Sequence, residues 1–279
     1  MLSRHNSAVH WFHSIEGGKM KCIGSLLLVF GALAGPPQPA RAETPTLHLA
    51  SLEWLPYVGR GLPDGGLSGA VAKAVAARFG YGIRIDYFPW KRAMQAGGSD
   101  PDFVGYFPAY HTAERARQCH FSTPMGKSTV GLAMLAEAPL RWRVLDDLAG
   151  NKLGVVLGYS NGDAFDQMVK SGKLSVDASE SDIINLRKLL AGRIHAVVID
   201  KAVLRYLLAS DPTLSKERTQ LVFDERPLAE LTLHVCFQRT PLGLKLKQSY
   251  DAALLQTDIA KIENGYFDQL GRSLGAVRR

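Results

Sequence analysis

Three side chains in this sequence could hold a small charged molecule: Arg115, Ser160 and Asp200. A guanidinium is a planar, permanently charged fork that matches a carboxylate bidentately. Arg115 falls in the first turn of a helix opened by Thr112, whose hydroxyl can accept from the free N–H groups there. Ser160 opens a helix after the turn Gly158-Tyr159-Ser160-Asn161-Gly162, where a hydroxyl and free amides suit an anion. Asp200 ends the apolar run Ala196–Ile199 and could accept an ammonium. Each has an ordinary structural alternative: a surface arginine for the first, plain helix caps for the other two. Trp54 follows the first apolar strand and could wall a ligand with its ring face, or pack on its own part of the fold. Tyr57, Tyr106, Phe107, Tyr110 and Tyr159 offer further ring surface, several of them as core.

The sequence carries no G-x-G-x-x-G, and Gly158–Gly162 lacks the Lys-Ser/Thr ending of a phosphate loop. His48, His111, His120, His195 and His234 show neither an i,i+4 pair nor a C-x-x-C companion. No catalytic residue, metal site or cofactor is expected, and the chain does not read as an enzyme.

The N-terminus reads as a leader. Met20-Lys21 is basic, Ile23–Ala34 is apolar, and Ala40-Arg41-Ala42 is a small-x-small site, which predicts a secretory signal peptide over residues 1–42 and export to the periplasm. Residues 1–19 read as an upstream start or a long basic region. Beyond residue 42, 29 Lys and Arg against 25 Asp and Glu leave +4, dispersed without a basic run, so nucleic acid is not an expected partner. Cys119 and Cys236 could pair in an oxidising compartment; spacing gives no distance, and the reading favours two buried thiols.

These residues must be positioned by an α/β framework. Strands are expected at Thr46–Ala50, Ile83–Phe88 and Phe103–Tyr106, the last broken at Pro108, with helices at Leu67–Phe79 and Trp90–Ala96, the second ended by Gly97-Gly98. A long strand, Thr129–Ala136, precedes a second series: strand 152–157, helix 163–169, strand 174–176, helix 181–191, strand 195–199, a helix from Lys201 and strand 221–223. Strand 231–238 then crosses back, followed by helices 242–256 and 258–270. The fold class is therefore α/β with two lobes. Residues 43–136 and 231–279 form lobe 1, and residues 137–230 form the inserted lobe 2. Crossings near Glu137–Leu140 and Pro227–Leu231 make a two-strand hinge, whose closure around a ligand is a standard motion. In open α/β sheets the ligand crevice lies beyond the carboxyl ends of the strands, which is where the candidate residues fall.

Read together, these stretches resemble the bacterial extracellular solute-binding proteins of family 3, the polar amino-acid binding components of ABC importers. The likeness covers about residues 46–272. Thr112-Ala-Glu-Arg115 followed by Phe121-Ser-Thr-Pro124 is similar to the family's T-x-x-R … F-S-x-P signature. Glu53–Tyr57 resembles its first-strand loop, and Gly66–Val71 its G-x-x-x-D-L segment, with Ala70 at the Asp. Lys152–Gly158 resembles the strand and turn that open lobe 2. Gly192–Asp200 resembles G-x-x-D-A-x-x-x-D with His195 at the inner Asp, and Asn264-Gly265-Tyr266 resembles the closing helix.

The resemblance implies a two-lobed periplasmic-binding-protein fold of type II and a monomer that delivers an amino acid or related small carboxylate or zwitterion to the membrane subunits of an ABC importer. Arg115 would bind the ligand α-carboxylate with help from Ser160 and the Tyr159–Ser160 amides, Asp200 would take the α-amino group, and Trp54 and Tyr110 would line the site. Departures from the pattern are aromatic: Phe107, Pro108 and Tyr110 replace small or hydroxyl residues, and Tyr159 replaces Thr or Ser. The pocket is therefore expected to be more aromatic and poorer in hydrogen-bond donors. Trp90-Lys91-Arg92 resembles a subgroup whose ligands are often unassigned, and Arg92 could reach the cleft or lie on the lobe surface. The alternatives are a dehydratase-like enzyme on the same fold and a ligand-sensing module.

Overall fold

The computed structural model describes residues 44–277. The expected leader, residues 1–42, lies outside them. The chain begins with β1 (Thr46–Ser51), α1 (Leu67–Arg78), β2 (Gly82–Tyr87), α2 (Trp90–Ser99) and β3 (Gly105–Tyr110). β1 pairs in parallel with β2 on one side and β3 on the other, as helix crossovers require. After α3 (Ala113–Ala116), β4 (Cys119–Phe121) and β5 (Gly126–Leu135) comes the second series. It comprises β6 (Lys152–Val156), α4 (Asp163–Lys170), β7 (Ser175–Ser179), α5 (Asp182–Leu190), β8 (Ala196–Asp200), α6 (Lys201–Ser210) and β9 (Leu221–Phe223). β10 (Ala229–Gln238), α7 (Pro241–Leu254) and α8 (Ile259–Val277) follow.

The strand order is β2-β1-β3-β10-β5-β8-β6-β7, with β4 on β10 and β9 on β5. Two parallel trios are thus joined through one antiparallel pair. β10 meets β5 over Ala229–Leu233 and Gly126–Val130. β10 then continues onto β3, while β5 continues onto β8. This is the expected architecture, two α/β halves linked by two strands. The hand-over from one half to the other occurs inside β5 itself, ahead of the Glu137–Leu140 crossing that the sequence suggested. Buried Leu49, Phe107, Phe237 and Tyr250 anchor the first half, and Leu132, Leu153, Leu186 and Leu189 the second. Full burial of such side chains is worth about 1.5–3 kcal/mol each.

Two local expectations are corrected. Pro108 does not end the third strand; it lies within β3. Between Ala109↔His234 and Tyr106↔Cys236 the register slips, so Phe107 and Pro108 together oppose the single residue Val235. A residue without an N–H is tolerated at such a bulge. Gly97-Gly98 does not end α2, which runs on to Ser99. A Cβ at Gly97 would stand 2.5 Å from the Gly105 carbonyl oxygen and 2.6 Å from Tyr106 Cβ. That glycine serves the close approach of helix to strand, not helix termination.

Cys119 and Cys236 form a disulfide with Cα atoms 5.6 Å apart, replacing the expected pair of free thiols. They are separated by 117 residues in sequence and meet because β4 and β10 are neighbouring strands. Cross-linking so long a loop restricts the unfolded chain, typically stabilising a protein by about 2–4 kcal/mol. Unfolding in urea with and without reductant should therefore show the reduced protein less stable by that amount. Coincident midpoints would show that the bond contributes nothing.

Candidate functional site

Arg115 sits in the short helix α3, where Thr112 caps the Arg115 N–H at 3.1 Å. Its side chain is only 8% exposed. One terminal nitrogen, Nη1, donates to the Tyr110 carbonyl at 3.0 Å and the other, Nη2, to the Gly158 carbonyl at 3.0 Å. The guanidinium carbon stands 5.5 Å from the centre of the Trp90 ring. Tyr110 belongs to the first half and Gly158 to the second, so the fork spans the gap between them. Among the described residues Arg115 has no ion-pair partner, and burial lowers the guanidinium's pKa from its ordinary value. Among the described residues its hydrogen bonds go to neutral carbonyls, and the charges of Asp166 and Glu114 reach it from farther off, so this buried cation lacks a contact ion pair in a poorly solvated place.

Trp90 Nε1 donates to the same Gly158 oxygen at 3.1 Å, so two donors from the first half converge on one carbonyl of the second. Gly158 has φ +80°, and a Cβ there would lie 3.0 Å from Lys91 Cγ and 3.5 Å from Trp90 Cδ1. Only glycine combines this conformation with this approach. Around the contact stands a wall of rings. Trp54 stacks on Tyr57 at 4.4 Å and meets Tyr110 edge-on at 5.8 Å. Tyr159 stands edge-on to both Trp54, at 6.4 Å, and Trp90, at 6.5 Å. Trp54, which follows β1, is buried. The cavity lined by Leu52, Trp54, Trp90, Pro108, Tyr110, Arg115, Tyr159 and Ser160 measures about 20 Å³, room for about one water molecule.

Asp200 lies off this cavity, in the seam between the halves. It caps α6, with Oδ1 accepting from the N–H groups of Ala202 and Val203 at 2.7 and 2.9 Å. Oδ2 accepts from Ser128 Oγ at 2.6 Å and from the Tyr57 hydroxyl at 3.1 Å. Ser128 also bonds the Tyr110 hydroxyl at 2.6 Å. Four donors match the four lone-pair sites of a carboxylate. Burial raises the Asp200 carboxyl pKa, and these hydrogen bonds oppose the rise.

Ser160 donates to Asp166 Oδ2 at 2.6 Å, and Asn161 N–H donates to both oxygens of that carboxylate at 3.1 and 3.2 Å. An internal carboxylate thus occupies the turn read as an anion site. Ser160 also borders a second cavity of about 260 Å³, shared with His111, Gly162, Phe165, Ala229 and Leu231 among others. Arg92 is on the surface, its guanidinium carbon 5.3 Å from the Phe88 ring centre. His195, at the inner Asp of the sequence motif, accepts the Lys152 N–H on Nδ1 at 2.8 Å, tying the strand to its neighbour.

Of the residues singled out from sequence, Trp54, Tyr110, Arg115, Tyr159 and Ser160 come together around one cavity and Asp200 does not. Ser128, Asp166 and Asp182 were not singled out, Tyr57 was named only as possible ring surface, and Trp90 only as part of the Trp90-Lys91-Arg92 stretch. Trp90 had a legible signal, since it follows the carboxyl end of β2, where the crevice of an open α/β sheet opens. Tyr57 and Ser128 meet Asp200 across 143 and 72 residues and left no local mark, whereas Asp166 lies six residues beyond the Ser160 it accepts from.

No family model matches the chain, and no curated protein matches it. Solved structures do share its fold. An ancestral arginine-binding protein bound to arginine superposes with TM-score 0.65 at 20% identity, over 80% of this chain and 98% of that one. The glutamate-bound GluR0 ligand-binding core from Nostoc punctiforme gives 0.65 at 18%, over 80% and 99%. An ancestral amino-acid-binding protein, described as a precursor of cyclohexadienyl dehydratase, gives 0.63 at 18%, over 80% and 95%. The fold is that of two-lobed amino-acid-binding proteins.

Asp182, the first residue of α5, is also buried, without an ion-pair partner among the described residues. Burial, reinforced by the charge of Asp200, pushes its carboxyl from 3.8 up to about 7. The folded state therefore holds a proton that the unfolded chain releases, and the stability present below the lower value is lost as pH rises through the upper one. Replacing Asp182 with Asn removes this loss. The variant's stability relative to wild type should rise between pH 4 and pH 8 by on the order of 4 kcal/mol. A difference that stays constant with pH, measured by denaturant titration, would show that Asp182 does not titrate this way.

Proposed function

We propose that the chain is a solute-binding protein that captures a small carboxylate, an amino acid or a relative of one, between its two halves. The observation that carries this reading is Arg115: a buried guanidinium at the seam, with no contact ion pair among the described residues and Asp166 and Glu114 acting on it only from a distance, whose fork points at a neutral carbonyl of the opposite half. An anionic ligand would balance that charge with two charge-assisted hydrogen bonds. Trp54, Trp90 and Tyr110 would enclose the ligand, the Tyr159 ring would give way to it, and Ser160 would assist once freed from Asp166. The fold's neighbours, which hold arginine, glutamate or glutamine, support the same reading and favour a binding protein over an enzyme.

We divide the chain into two lobes that meet at a hinge made of the paired segments Gly126–Val130 of β5 and Ala229–Leu233 of β10, with the residues between these segments in lobe 2 and the rest of residues 43–279 in lobe 1. Export to the periplasm is supported by the leader-like residues 1–42 and by the Cys119–Cys236 bond, since disulfides persist in oxidising compartments. Among the described residues no helix is long and apolar enough to cross a membrane. Delivery to the membrane subunits of an ABC importer by a monomer completes the proposal.

A ligand that binds only the native state raises its melting temperature by mass action. A thermal-shift screen over amino acids and organic acids should give at least one carboxylate that stabilises the wild-type protein. Arg115→Met should weaken that ligand by about 10- to 100-fold, the range for losing hydrogen bonds to a charged group. Undiminished affinity in Arg115→Met would remove the anchor from the proposal.

A further inference from the structure

The wall around Arg115 and the loop that fills it describe a narrower ligand class. Its side chains are aromatic, apolar or hydroxyl-bearing, with Arg115 as the one ionised group, and no Asp or Glu lines the cavity. The acid expected to meet an ammonium, Asp200, lies outside the cavity with both oxygens fully engaged by Tyr57, Ser128 and two helix amides. Releasing one of those donors would leave a buried hydroxyl or amide unpaired, which costs about 1–3 kcal/mol. An ammonium entering beside Arg115 would also meet a like charge.

The loop Gly158-Tyr159 meanwhile presents two groups to the first half: a carbonyl oxygen held by Arg115 and Trp90 at 3.0 and 3.1 Å, and a phenol ring edge-on to Trp54 and Trp90. With room for about one water molecule left, an incoming ligand has to take over these positions. The ligand that does so carries an oxygen anion for the fork and a flat ring for the tryptophans, a short chain apart.

Building on the proposed binding function, we infer that the site selects a ring-bearing monocarboxylate that lacks an ammonium group, and that Gly158 and Tyr159 mark where its acid and its ring are placed. The proposal separates this protein from neighbours whose ligands are zwitterions.

Isothermal titration calorimetry on the purified chain, with compounds that differ in one group, tests it. 3-Phenylpropionate supplies acid and ring, L-phenylalanine adds the ammonium, 2-phenylethylamine keeps the amine without the acid, and L-glutamine and L-arginine keep the zwitterion without the ring. The expected result is binding of 3-phenylpropionate at least tenfold tighter than L-phenylalanine, with none by 2-phenylethylamine. Equal or tighter binding of L-phenylalanine, or binding of glutamine or arginine in preference to 3-phenylpropionate, overturns the inference and leaves the binding-protein reading standing. Binding of no compound in the panel would overturn both.

Discussion

The two halves of this protein depend on one buried carboxylate. Asp200 ends a strand of the second half and caps its following helix, yet its second oxygen is held by Ser128 on the crossing strand and by Tyr57 from the first half. Ser128 extends the chain to Tyr110. An ionised group so deeply buried is tolerable only when every lone pair is matched. The loop carrying Tyr57, the strand carrying Ser128 and the helix beginning at Lys201 must therefore keep their mutual positions while the seam is closed. Since Tyr110 also offers its carbonyl to Arg115, the network that satisfies the acid also supports the cation.

Arg115 and Asp200 were read from sequence as the two poles of one ligand site. In the structure they are treated very differently. The acid is saturated by its own protein, whereas the guanidinium meets neutral carbonyl oxygens, one of them on a turn of the opposite half. A neutral hydrogen bond contributes about 0.5–1.5 kcal/mol net, and one to a charged group about 1.5–3. The contact to Gly158 already has one charged partner and so holds the halves together; a carboxylate makes both partners charged and adds charge balance to the same geometry. The aromatic wall reinforces the preference, because rings exclude the water that would otherwise solvate the guanidinium.

Much of the fold was legible because its signals are local. The parallel strand–helix alternation, the Thr112 cap and the Asp200 cap each depend on a few adjacent residues. Where reading failed, the deciding contact came from elsewhere. Pro108 looked like a strand breaker until Val235 across the sheet supplied a bulge for it. Gly97 looked like a helix end until β3 came within contact distance. Cys119 and Cys236 offered a possible pair without a distance, because only sheet topology brings β4 beside β10. At the site, Arg115, Ser160 and the aromatic departures at Tyr110 and Tyr159 were visible as types in sequence, but their present partners were not. That Tyr57 and Ser128 occupy Asp200 follows from three-dimensional juxtaposition alone, whereas Asp166 reaches Ser160 across only six residues.

The central claim is that a ligand carboxylate replaces the Gly158 carbonyl on Arg115. A crystal structure of the protein with its tightest-binding carboxylate measures this directly. The account predicts both ligand oxygens within hydrogen-bond distance of the Arg115 terminal nitrogens, the Gly158 carbonyl displaced from Nη2, and Asp200 still held by Tyr57 and Ser128. A ligand seated instead in the larger cavity beside His111, with the Arg115–Gly158 bond intact, would contradict it.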